Sequence, residues 1–127
     1  MNAGKRFKID DTEQVRPHIR LCRRILSEAL AAGFTGIELT AVPGTAPAAR
    51  ALHEGAWRSF MAFPPPVYGQ LVEYFKEMAG VASDAASADG RILVQVGGRD
   101  AAVVLRARRN DQAVEELVLD FSGESYL

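Results

Sequence analysis

From about residue 14 to residue 32, apolar side chains recur at helical spacing. Cys22, Ile25, Leu26, Ala29 and Leu30 share one side, while Arg16, Arg20, Arg23 and Glu28 fall largely on the other. The pattern predicts an amphipathic helix. Asp11 or Thr12 can cap its start, Pro17 is tolerated only in its first turn, and Gly33 is a natural stop. The period then changes from helical to alternating. Ile37 and Leu39 alternate with Glu38 and Thr40, the mark of a short half-buried strand, and Val42 to Pro47 breaks it. Arg50 to His53 and Trp57 to Phe63 read as the arms of a hairpin turned by Glu54-Gly55.

Three consecutive prolines, Pro64 to Pro66, cannot donate to a sheet ladder but can open a helix. Leu71, Val72, Phe75 and Met78 then share a face, so residues 67–79 are predicted helical, with Gly80 closing the segment. The small, polar stretch 81–90 reads as a loop. Two further hairpins follow: 91–96 and 100–108 around Gly97-Gly98, then a turn at Asn110 to Gln112 into 114–121. The predicted class is α+β, in the order α-β-β-β-α-β-β-β, with helices packed on antiparallel sheets. A single domain over residues 13–121 is expected, between a charged tail at 1–12 and a frayed tail at 122–127.

Composition agrees with that plan. The chain has 127 residues, 48% apolar and 24% charged, which suits one core. Its one cysteine, Cys22, excludes an intramolecular disulfide and a thiolate zinc cage, and its place on the apolar face makes it a small buried filler. No apolar run reaches the roughly 20 residues of a membrane helix, and the charged start lacks the apolar centre of a signal peptide. The expected location is cytoplasmic. Net charge is −1, but residues 1–24 hold seven bases against three acids, net +4, and the rest is net −5. Such asymmetry suits a partner with an acidic face, or a solvated helix surface.

Catalytic motifs are missing. There is no phosphate-binding GxxxxGK[ST], no GxGxxG and no GxSxG, and the two histidines, His18 and His53, belong to no cluster with metal-ligand spacing. His53 and Glu54 are adjacent, so strand geometry points them to opposite faces. The expectation is a protein that is not an enzyme and carries no cofactor or metal. Arg106 and Arg108 project from one strand face, with Arg109 following. They form either a phosphate or nucleic-acid stripe or partners for Glu115 and Glu116 on the next strand. With a net charge of −1 the chain is a poor nucleic-acid binder. Trp57, Phe60, Phe63, Tyr68, Tyr74 and Phe75 supply core aromatics, of which one or two left exposed beside the prolines would make a contact patch.

The run from Ile25 to Leu39 resembles the opening of the domain that precedes the motor in type II secretion and type IV pilus assembly ATPases. The likeness continues in order through Arg50-Ala-Leu-His-Glu-Gly55, Phe63-Pro-Pro-Pro66, Lys76-Glu-Met-Ala-Gly80, Asp89-Gly-Arg-Ile92 and Val96-Gly-Gly-Arg99. It spans about residues 20–121. The resemblance implies a PAS-like fold that swings against a neighbouring motor, with arginines approaching the motor's nucleotide. The motor itself is absent from these residues. Arg50, Arg91 and Arg99 stand at or near the family's basic positions. Leu52 and Val104 stand where further arginines are expected, and Gly36 and Glu38 replace the Asp and His of its first strand. Leucine and valine cannot supply a guanidinium fork to a phosphate.

These readings lead to a non-catalytic protein-interaction domain, with a secretion or pilus assembly ATPase or a second copy of itself as partner. The interaction candidates are Arg16, Arg20, Arg23, Arg24, Arg106 and Arg108. The alternative is a small-ligand or nucleotide sensor using Arg50, Arg91 and Arg99 as phosphate contacts.

Overall fold

Proline sets where both helices begin. The computed structural model describes residues 7–8, 16–41, 44–82, 87–96, 99–109 and 115–121, with only the backbone described at Phe7, Lys8, Val96 and Arg99. Helix α1 spans Pro17–Ala32 rather than starting near residue 14. A proline forces the residue before it out of the helical region, and Arg16 is extended, with ψ 155°. Asp11 and Thr12, the expected caps, lie outside the described residues. Gly33 ends α1 at φ 77° and returns its N–H to the Ala29 carbonyl. Helix α2, Pro65–Met78, repeats the device, with extended Pro64 before it and Gly80 at φ 76° beyond its end.

Among the described residues there are seven strands: β1 (Phe7–Lys8), β2 (Gly36–Thr40), β3 (Ala48–His53), β4 (Ala56–Ala62), β5 (Ser87–Val96), β6 (Arg99–Arg109) and β7 (Glu115–Asp120). The α+β class holds, and α1 and α2 each lead into three strands as expected. The order differs in one respect: the two-residue β1 precedes α1, inside the segment read as a charged tail, and pairs parallel with Val94 and Gln95 of β5. A second correction concerns β5. It begins at Ser87, four residues before the expected start, because Gly90 can sit in a strand interior where no other residue fits. A Cβ there would lie 2.5 Å from the Ala79 carbonyl oxygen, so the end of α2 presses directly on the strand.

The two antiparallel units do not form separate sheets. They merge into one sheet of order β1-β5-β6-β7-β2-β3-β4, because β7 pairs antiparallel with β2 and sets Ile37 opposite Leu119 and Leu39 opposite Leu117. Those four residues are buried together, with Ala49 and Ala51 of β3 beside them and Ile92, Val94, Val103 and Leu105 on the far strands. Both helices lie over this face, with Cys22, Ile25, Leu26 and Ala29 from α1 and Leu71, Val72 and Phe75 from α2. The space lined by Cys22, Leu26, Tyr74, Phe75, Met78 and Ile92 leaves no room for a water molecule.

Among the described residues one charged side chain enters this core. Lys76 is 0% exposed, and its Nζ donates to Glu115 Oε2 at 2.6 Å, at the start of β7. The Tyr68 hydroxyl, two turns earlier on the same helix face, donates to the Glu115 carbonyl at 2.7 Å. Two side chains of α2 thus grip one residue of β7. Removing Lys76 takes away the cation that the Glu115 carboxylate meets here.

Candidate functional site

With Ile37 and Leu39 turned toward the helices, pleating turns the alternate residues of every strand to the other face. No described element covers that face. It carries Glu38 on β2, Arg50 and Leu52 on β3, Trp57 and Ser59 on β4, Arg91 and Leu93 on β5, Val104, Arg106 and Arg108 on β6, and Glu116, Val118 and Asp120 on β7, as their pairings dictate.

Arg50, Arg106 and Arg108 are held by acids on neighbouring strands. Arg108 Nε meets Glu116 Oε1 at 3.4 Å and Arg106 Nη1 meets Asp120 Oδ2 at 3.6 Å. Glu116 was one of the two expected partners; Glu115 turns instead to Lys76. An open depression of about 390 Å³, lined by Ser87, Asp89, Arg106, Ala107, Arg108 and Val118, lies over this stretch. Arg50 donates to Glu38 Oε1 through Nε at 3.0 Å and also through Nη2. Its guanidinium carbon also stands 5.2 Å from the centre of the Trp57 ring, a cation–π distance.

Trp57 is the exception among the aromatics. Phe63, Tyr68 and Phe75 are buried, Phe60 and Tyr74 half-buried, and Trp57 is 42% exposed. It extends over Gly36, where a Cβ would come within 3.6 Å of the indole Cη2. The expected partnership with the exposed prolines is not found. Trp57 sits at the hairpin end of β4 and Pro64 beyond the other end, roughly seven residues or more than 20 Å along the chain.

The hairpin itself is a two-residue turn with Glu54 at φ 53° and Gly55 at φ 82°, both left-handed as a tight hairpin requires. Beyond it, Arg50 faces Ser59 while Ala49 faces Met61, so Phe60 is an extra residue and β4 bulges there. His53 packs edge-on against Phe34 at 5.5 Å, and Phe34 against Phe60 at 5.5 Å. His53 is thus an aromatic packing element under the β3–β4 ribbon.

The phosphate candidates do not converge. Arg50 on β3 and Arg91 on β5 are four strand spacings apart, roughly 19 Å, and the Arg99 side chain lies outside the described residues. The interaction candidates divide as well. Arg16, Arg20 and Arg24 line the exposed side of α1, where Arg24 Nε meets Glu28 at 2.6 Å, and Arg23 is half-buried. Arg106 and Arg108 lie on the opposite face of the sheet. Cys22 is buried, and burial pushes its thiol well above the ordinary range. Among the described residues no three His, Cys, Asp or Glu side chains gather as a metal ion would need, and no helix is long and apolar enough to cross a membrane.

Nothing in the local pattern pairs Lys76 with Glu115. It does place Lys76, four residues after Val72 and eight after Tyr68, on the apolar stripe of α2. The chain matches no protein-family model and no curated relative.

Proposed function

We propose that this chain is a non-catalytic interaction domain that binds another protein through the β2–β3–β4 half of its sheet. The observation that carries the reading is Trp57, among the described residues the one large aromatic left substantially in solvent, set on the uncovered face beside an arginine already fixed by Glu38. Exposed tryptophan held in place by neighbours is the residue type on which protein contacts concentrate their binding energy. The filled space between helices and sheet supports a surface rather than an internal pocket as the place of recognition.

In this reading the domain is PAS-like and its partner is an assembly ATPase of the secretion or pilus class. The motif blocks between Ile25 and Arg99 support the partner. The single sheet with both helices on one face supports the fold label. The test mixes the purified domain with a hexameric assembly ATPase and follows binding by fluorescence anisotropy, alongside a thermal screen of nucleotides and cyclic dinucleotides. Micromolar binding to the ATPase and a flat screen are expected. No binding, together with a nucleotide that raises Tm by roughly 10 °C at 100 times its Kd, would replace this reading with that of a sensor.

A further inference from the structure

The two ends of the sheet are finished differently. β5 receives β1 at Val94 and Gln95, whereas no described residue pairs with the outer edge of β4. An unpaired edge presents a row of backbone N–H and C=O groups, and proteins ordinarily blunt it with charge, proline or bulges. β4 has no proline, a single charge at Arg58, and a bulge only at Phe60, leaving Ala56–Ser59 regular.

The hairpin fixes which groups point outward. In a two-residue hairpin the closing residues, here His53 and Ala56, exchange both backbone bonds, and bonded and non-bonded pairs then alternate. Trp57 and Ser59 therefore direct their N–H and C=O groups away from β3. The Leu52 carbonyl, opposite Trp57, agrees: it accepts from Thr35 N at 2.9 Å, on the β2 side.

We propose that β4 pairs antiparallel with β4 of a second copy of this chain, about a two-fold axis at Trp57. This deepens the interaction reading and rests on it. The axis position follows from charge and pleat. Residues opposite one another must share a face, so the axis passes through a residue; a centre at Ala56 would set Trp57 and Arg58 against the copy's turn, which leaves Trp57, Arg58 or Ser59. A centre at Arg58 sets like charges directly opposite, which is unfavourable. A centre at Ser59 runs both strands into the bulge at Phe60. The Trp57 centre avoids both. It places Trp57 against its own copy, Arg58 against Ala56 with the copy's Glu54 next along, and Ser59 against Gly55. The outward backbone groups of Trp57 are then paired with those of its copy, and Ser59 lies opposite the copy's turn at Gly55, the arrangement of a self-complementary patch.

Sedimentation over a wide concentration range tests this directly, because so short an edge gives a small interface and a reversible dimer. The mass is expected to rise from 13.8 kDa toward twice that value, and Trp57→Lys is expected to hold it at 13.8 kDa with unchanged circular dichroism. In the proposed register the two Trp57 Cα atoms lie about 5.5 Å apart, within disulfide reach. Trp57→Cys should therefore form an oxidised dimer, while Arg58→Cys, offset from its copy, should not. A wild-type mass fixed at 13.8 kDa, a Trp57→Lys variant that still dimerises, or cross-linking through Arg58→Cys but not Trp57→Cys each overturns the pairing. A monomer that nonetheless binds the assembly ATPase overturns the pairing alone, and a dimer that binds no ATPase overturns the partner alone.

Discussion

The two halves of the sheet follow the same plan, a helix leading into three antiparallel strands, yet they end in opposite ways. The β5–β6–β7 half has long strands of 10 and 11 residues, a glycine that lets α2 press onto β5, a buried Lys76–Glu115 pair, and β1 added at its edge. The β2–β3–β4 half has strands of 5, 6 and 7 residues, alanines where the other half carries larger side chains, a bulge, and an edge that no described residue covers. The first half invests in closure. The second keeps its backbone groups and its exposed tryptophan available, as a surface meant to be met by another chain would.

If that contrast is physical, substitutions in the closed half must cost more than those in the open half. The largest effect is expected from Leu26→Asp, because Leu26 reaches from α1 across to Phe75 and Ile92 of the closed half, is buried there, and an aspartate in its place has no partner. The variant should be unfolded or insoluble by circular dichroism. Lys76→Met should follow, at about 3 kcal/mol by urea denaturation, since it strands the Glu115 carboxylate; adding Glu115→Gln should restore part of the loss.

Tyr68→Phe comes next, at about 1 kcal/mol at neutral pH for the lost bond to the Glu115 carbonyl. It also changes the alkaline limb. Burial, with Glu116, Glu115 and Glu38 adding to it in that order, holds the Tyr68 hydroxyl well above its ordinary value of 10.0. A folded value above the unfolded one gives stability that is complete below pH 10 and lost as pH rises through the folded value. Denaturation series from pH 9 upward should show that loss in the wild type, and less of it in Tyr68→Phe. The smallest effect belongs to the open half. Trp57→Lys should cost no more than about 1 kcal/mol in the monomer, the size of the cation–π contact with Arg50. A cost for Trp57→Lys above that for Lys76→Met would mean that the open half, too, is built for closure.

How much of this the sequence disclosed depended on the range of the interaction. Signals acting within one turn or one hairpin read clearly: the Ile37/Leu39 alternation, the stop at Gly33, the Pro64 to Pro66 break, the Glu54-Gly55 turn and the Leu71, Val72, Phe75, Met78 stripe. What joined the hairpins did not. The pairing of Ile37 with Leu119 links residues 82 positions apart, and nothing local distinguishes it from two separate sheets. Gly90 read as loop because the reason for it is Ala79, not its neighbours in the chain. The arginines were visible as residues, but whether they gather or scatter depends on strand order, which put Arg50 far from Arg91 and set Arg16 and Arg106 on opposite faces. Trp57 stood among six aromatics. Only the end of its strand, and an outer edge of β4 that no described residue covers, set it apart.

Amide exchange along β4, resolved residue by residue at low and high protein concentration, bears most directly on the claim that this half of the sheet is made to be met. In dilute solution the Arg58 amide, turned toward β3, should exchange slowly, and the outward amides of Trp57 and Ser59 quickly. At high concentration all three should be slow. Trp57 and Ser59 amides already protected in dilute solution, or fast at every concentration, would contradict the account.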